Sequence, residues 1–214
     1  MKKLSFDDDK LLPKVSCTST DCENDLHCFR PKKMNPHKLT GGPCFKCEAD
    51  LIDWKRMHER NINDANQYIA FLKKENIRNH FWTLEIPAQK RHKFMLKGKL
   101  NLDLNIITVL KQSVQKCPDK IFRDGTQTST TKWDIIKFAQ HATATCCRKC
   151  IKYWHDIPYD RELTEDELEY FRKLIMKYID YKFEVVQKNG TLFCIKNAKN
   201  GSKENQENAR TLRA

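Results

Sequence analysis

The chain has 214 residues and carries forty Lys+Arg against twenty-eight Asp+Glu, a formal charge of +12. That length suits one large domain, or one domain with a small appended module, whose core needs no disulfides. The charge favours an anionic partner, nucleic acid first. No segment has the apolar run of about 20 residues that crosses a bilayer, and the lysines of "MKKLSFDDDK" have no apolar stretch behind them. A membrane protein is excluded on this reading and a cytoplasmic one is expected.

Residues 1–16 read as a polar, flexible leader. A cysteine-punctuated module follows over 17–50, with turns at Pro31, Pro36, Gly41, Gly42 and Pro43. Ten cysteines without an export signal should be thiols or metal ligands, because a reducing compartment disfavours structural disulfides. Cys17 and Cys22 form C-x4-C; after twenty-one residues Cys44 and Cys47 form C-x2-C. Two short pairs of thiolates suit tetrahedral zinc, since each pair spans one edge of the tetrahedron. The expected metal ligands are Cys17, Cys22, Cys44 and Cys47, with His27, Cys28 and His37 between the pairs as alternates. Such a closed, zinc-ribbon-like site would be structural.

From Leu51 to Trp82 apolar residues recur at three- and four-residue spacing, which reads as helix stopped by Pro87. Within it Trp54 lies one turn from His58, and Glu75, Arg78, His80 and Trp82 gather ionisable groups beside an aromatic. "QKRHKFMLKGK" reads as a basic connector in which Lys90, Arg91, Lys93 and Lys97 could neutralise phosphates while Phe94 stacks on a base. The helical region with its basic segment spans 51–100. A second helical domain, 101–196, opens with "LDLNIITVLKQSV" and ends in a hairpin, "FEVVQKNGTLFCI", turning at Asn189-Gly190. Residues 197–214 are polar enough to be a disordered tail. The expected fold is mainly α, with a small zinc-bound irregular N-terminal module and a short C-terminal β-hairpin.

The second domain contains "HATATCCRKCIKYWH", His141 to His155. Thr131 is the expected cap of a helix from Lys132 to near Ile157, and Thr164 with Glu167 forms a capping box for a last helix to about Tyr181. On a continuous helix, at about 100° per residue, Cys146, Cys147 and Cys150 face the core with Ile135, Ile136 and Ala139. They are then packing residues, or a metal-chelating group completed by Cys117 or Cys194. The opposite face carries His141, Thr145, Arg148, Lys152 and His155, either a solvated stripe or a cleft wall able to bind anions or move protons. If the helix breaks, His141, Cys146 or Cys147, Cys150 and His155 could form a second zinc site.

"DGTQT", "AQHATATCCRKC", "WHDIP" and "RELTEDE" together resemble the block of a bacterial and phage family of unknown function, domain of unknown function 4186, over roughly residues 120–180. This chain departs from that pattern with Ser129 in place of proline, Trp133-Asp134 near its His-Pro pair, and Asp156 in place of glycine. The resemblance makes Gln140, His141, Arg148 and His155 the candidate functional positions.

Two functions follow. One is a zinc-binding, basic protein that binds nucleic acid; the other is a metal-supported enzyme acting on nucleic acid or nucleotides through the His/Arg face. A metal-stabilised protein-interaction module is a third. The zinc-deaminase pattern, the phosphate-binding G-x-x-x-x-G-K-[ST] loop and H-E-x-x-H are all absent.

Overall fold

The computed structural model describes residues 15–31, 40–117 and 133–185, and over these the chain is mainly helical. The stretch expected to be helical from Leu51 is divided into α1 (Trp54–His58), α2 (Ala65–Lys73) and α3 (Asn76–Thr83). Local polar groups make the divisions. Asp53 accepts a hydrogen bond from the Arg56 amide to start α1, Arg60 adopts a left-handed φ of 51°, and Asn61 accepts from the Asn63 amide to start the turn into α2.

The expected basic connector is instead the first part of α4 (Ala88–Ser113), whose helical path breaks at Gly98 (φ 69°, ψ 157°), a conformation that glycine adopts without steric cost. Phe94 therefore does not project to solvent. It is buried against Phe183, 4.4 Å between ring centroids, and edge-on to Trp133. No stacking platform for a base is left there.

The helix expected from Lys132 to Ile157 is two helices, α5 (Ile135–Ala142) and α6 (Arg148–His155). Asp134 caps α5 by accepting from the amides of Ile136 and Lys137; Thr131, the expected cap, lies outside the described residues. The last helix, α7, covers 165–185. Its capping box forms as the sequence predicts, with Thr164 N donating to Glu167 Oε2 (2.9 Å) and Glu167 N donating to Thr164 Oγ1 (3.2 Å). Helix α7 runs on through Phe183, Glu184 and Val185, where the hairpin was expected to begin; the rest of that hairpin lies outside the described residues. Among the described residues extended pairing is confined to two isolated bridges, Asp21 with Leu26 and His27 with Glu75.

Helices α2 to α7 all contribute fully buried side chains to one core. Phe81 of α3 packs on Phe138 and stacks on His141 of α5 (4.7 Å, 13°), while Trp82 Nε1 donates to the Ala142 carbonyl. Helix α7 grips the end of α3: Tyr178 Oη donates to the Phe81 carbonyl, and the buried Lys182 donates to the carbonyls of Trp82 and Leu84, which are left without helical partners at that terminus. Burial, with Lys73 nearby, brings the Lys182 ammonium down to about 8.

The N-terminal module docks onto this body through backbone and aromatic contacts. His27 N donates to the Lys74 carbonyl and Asn76 N to the His27 carbonyl, a parallel bridge across the α2–α3 junction. Phe29, Trp54 and Trp154 form one cluster, with Trp54 and Trp154 5.1 Å apart. Gly41 lies so close that a Cβ there would meet the Trp54 ring at 2.2 Å, so glycine is required for this approach.

Candidate metal centres

Two groups of donor side chains converge. In the first, one ligand atom each from Cys22, His27, Cys44 and Cys47 lies within 4.8 Å of the others. The chain builds this group from two turns. Asp21 and Leu26 pair through two hydrogen bonds of 2.7 and 2.9 Å, and Asp25 at φ 59° closes the turn, which brings Cys22 and His27 to the same side. The second turn is the Cys44–Glu48 loop, closed by Glu48 N donating to the Cys44 carbonyl, with Glu48 at φ 62°. Phe45 N donates to the Cys28 carbonyl and ties the two turns together.

The environment favours ligation. Burial alone would raise the Cys44 thiol, but backbone hydrogen bonds at Cys47, Cys28 and Lys46, with one from His27, outweigh it and bring Cys44 down to about 6. Burial and the neighbouring Cys47 and Cys44 push Cys22 up to about 11. His27 Nδ1 faces the Cys47 sulfur at 3.3 Å while its Nε2 donates to Asp25 Oδ1 at 3.1 Å. Asp25 is held in turn by Lys74, whose hydrogen bond is the first cause of its lowered carboxyl pKa, followed by that of His27. A carboxylate fixing the far nitrogen of an imidazole is the usual outer support of a histidine metal ligand.

Of the residues the sequence singles out here, Cys22, Cys44 and Cys47 come together, and His27 stands where Cys17 was expected. Cys28 turns away and donates to the Cys17 carbonyl at 3.2 Å; burial pushes its thiol up to about 12. His37 lies outside the described residues. The C-x4-C spacing gave no warning of this exchange; the signal available was Cys22-x4-His27, the same separation one step further along.

The second group is Cys146, Cys147 and Cys150, also within 4.8 Å of one another. Neither His141 nor His155 joins it, although the helix does break. Cys117 donates to the Asp160 carbonyl instead, and Cys194 lies outside the described residues. Against these sulfurs lies a buried polar network that sequence reasoning did not assemble. Arg78 donates to Glu75 (2.9 Å), to the His141 carbonyl (2.8 Å), to Cys150 Sγ (3.0 Å) and to Cys146 Sγ (3.6 Å). Glu75 also accepts from Tyr153 Oη (2.8 Å) and Trp154 Nε1 (3.0 Å). The gathering of Glu75, Arg78, His80 and Trp82 was legible in the sequence; the partners of Glu75 and Arg78 on α5 and α6 were not.

The expected His/Arg face is not a cleft wall. Gln140, His141, Arg148 and His155 are all buried. Arg148 donates to four backbone carbonyls, those of Val114, Gln115, Pro158 and Arg161, and so binds the end of α4 to the loop before α7. His155 hydrogen-bonds the Thr143 carbonyl (3.0 Å) between Tyr170 and Phe171, and Gln140 donates to Ser113 Oγ and the Thr145 carbonyl. Burial brings His141 and His155 each down to about 3, with Arg78 adding to it for His141 and His58 and Arg60 for His155, so both imidazoles are neutral at physiological pH.

Among the described residues no helix is long and apolar enough to cross a membrane. No solved structure matches the chain significantly. A family model described as Domain of unknown function (DUF4186) matches residues 66–180, a span that starts after the first donor group and contains the second together with Glu75 and Arg78. With more than half of its length inside that match, and with the "AQHATATCCRKC" block at its centre, the chain belongs to the DUF4186 family.

Proposed function

We propose that the protein is a zinc-stabilised, basic nucleic-acid-binding protein. The observation that carries the zinc part is the convergence of three thiols and one carboxylate-supported imidazole, Cys22, Cys44, Cys47 and His27. Three sulfurs and one nitrogen are a donor set that zinc takes tetrahedrally, and a site with four protein ligands is closed, hence structural. When bound, the metal supplies cross-linking between the two turns and nothing chemical. Its work is to fix the module on the α2–α3 junction. Purified protein should hold zinc that a Cys44→Ser/Cys47→Ser variant has lost, measured by elemental analysis. Equal zinc in both would remove this assignment.

Support for nucleic acid comes from the charge of +12 and from Lys93 and Lys97, exposed on α4, with Lys90 and Arg91 half-buried beside them. Lysines on a helix face neutralise phosphates without reading bases, so binding should be weakly sequence-specific and strongly salt-dependent. Changing Lys90, Arg91, Lys93 and Lys97 to glutamine should weaken binding to a short duplex and flatten its dependence on salt. An unchanged affinity and slope would take α4 out of the interface. The burial of His141, Arg148 and His155 counts against an enzyme built on that face. One observation favours an interaction module instead: Leu96, Leu100 and Leu104 of the same helix are exposed, at about 70% each.

A further inference from the structure

We propose that Cys146, Cys147 and Cys150 form a second metal site, a three-thiolate pocket for a thiophilic divalent cation, with Arg78 balancing its charge. This site is independent of the N-terminal one. It rests on four features of the fold.

The first is the break between α5 and α6. On a continuous helix the side chains of adjacent Cys146 and Cys147 would diverge by about 100°. Residues 143–147 leave the helix, with Thr145 N donating to the Gln140 carbonyl (2.8 Å) and Ala144 in the left-handed region at φ 57°. That conformation is costly for a residue with a Cβ, and here it lies in the buried centre of the domain. Its consequence is that three sulfurs meet. Zinc–sulfur bonds of about 2.3 Å put tetrahedral sulfurs about 3.8 Å apart, within the spread this group shows.

The second feature is the position of the sulfurs on α6. Cys147 is the residue that caps the helix and Cys150 lies in its first turn, where free backbone amides and the helix dipole offset part of the cost of a thiolate. The neighbouring thiols and burial still hold all three above the ordinary thiol range, so a bound cation has to displace their protons. The third is Arg78. It is fully buried, and its guanidinium donates to the sulfurs of both Cys150 and Cys146, an arrangement that stabilises sulfur as an anion. With their protons displaced, the three sulfurs and Glu75 would carry four negative charges against the one positive charge of Arg78. A divalent cation brings that total to a single negative charge facing the α6 amides, whereas a monovalent one leaves two.

The fourth feature concerns the number of ligands. Among the described residues no further His, Cys, Asp or Glu joins the three. Three protein ligands would leave one corner of a tetrahedron for a fourth donor, and Cys146 is the partly exposed member of the group. Metal at this pocket should therefore exchange faster with a chelator than metal at the closed N-terminal site.

The test uses the full chain, reduced and loaded with zinc, then desalted and analysed for metal per chain by elemental analysis and native mass spectrometry. The wild type should hold about two zinc ions; Cys146→Ser/Cys150→Ser and Cys44→Ser/Cys47→Ser should each hold about one. Undiminished zinc in Cys146→Ser/Cys150→Ser overturns the proposal, whatever the other variant does. Loss of one zinc from that variant alone sustains it even if the N-terminal assignment fails. Because the variant could fail to fold, thiol alkylation of the wild type is read in parallel. Zinc should protect the peptide carrying Cys146, Cys147 and Cys150, and a chelator should release it before the peptide carrying Cys44 and Cys47. Equal labelling with and without zinc, or a disulfide among the three in place of bound metal, overturns it.

Discussion

Replacing Arg78 with methionine should cost about 3–5 kcal/mol of stability, the usual penalty for removing one member of a buried ion pair. Arg78 and Glu75 are both fully buried, and the guanidinium uses its donors on Glu75, the His141 carbonyl, Tyr153 and two cysteine sulfurs. Methionine fills a similar volume but leaves a carboxylate in the core, with the Tyr153 hydroxyl and the Trp154 indole as its remaining donors. It also removes the side-chain donor from the His141 carbonyl at the end of α5. Lysine should rescue little, because a point charge with three donors cannot reproduce a planar fork that reaches five partners. Adding Glu75→Gln to Arg78→Met should recover part of the loss by removing the stranded charge. Urea unfolding of the four proteins under zinc-saturating conditions gives the comparison. A loss below about 1 kcal/mol for Arg78→Met would mean that the network is not what holds α3, α5 and α6 together.

Acid should destabilise the fold steeply, and His141 and His155 are the expected cause. Each imidazole sits at about 3 in the folded protein, against an ordinary value near 6.5 in the unfolded chain. The unfolded state therefore binds the extra protons between those values. Stability from this source is complete above about pH 6.5 and is lost as pH falls toward 3. Each group contributes up to about 1.4 kcal/mol per pH unit, so the pair approaches about 2.8. Urea midpoints at pH 7.5, 6.5 and 5.5 measure the slope. Thiol protonation at a metal site adds its own acid dependence, so the decisive comparison is between the wild type and His141→Phe or His155→Phe. Each substitution should remove about half of the imidazole part of the slope, whatever it does to absolute stability. Identical slopes in all three proteins would assign the acid sensitivity elsewhere.

The sequence by itself determined a good deal. Helical periodicity, the absence of long apolar runs, the Thr164/Glu167 capping box and the family block are local properties, and short-range geometry is enough to express them. The N-terminal cysteine pairs were legible for the same reason, since C-x2-C puts two sulfurs within reach of one another in most turns, whereas Cys146, Cys147 and Cys150 meet because the helix breaks before α6.

What the sequence could not decide depended on contacts between distant segments. The exchange of Cys17 for His27 follows from the docking of His27 against the α2–α3 junction and from Asp25 held by Lys74, groups separated by 49 residues. The division of the expected helix into α5 and α6 buried the His/Arg stripe that was expected on an outer face, while Cys147 and Cys150 lie in the core as expected. A facial assignment at 3.6 residues per turn holds only while the helix is unbroken, and five residues outside the helix erase its phase. Carbonyls at the end of α5, at the end of α4 and in the loop before α7 accept from arginines of other segments: Arg78 reaches His141, and Arg148 reaches Val114, Gln115, Pro158 and Arg161. A long cation that serves backbone carbonyls looks, in sequence, the same as one that serves a ligand. Only the tertiary structure separates the two, because burying a backbone carbonyl requires a donor, and which donor is near depends on how the helices pack.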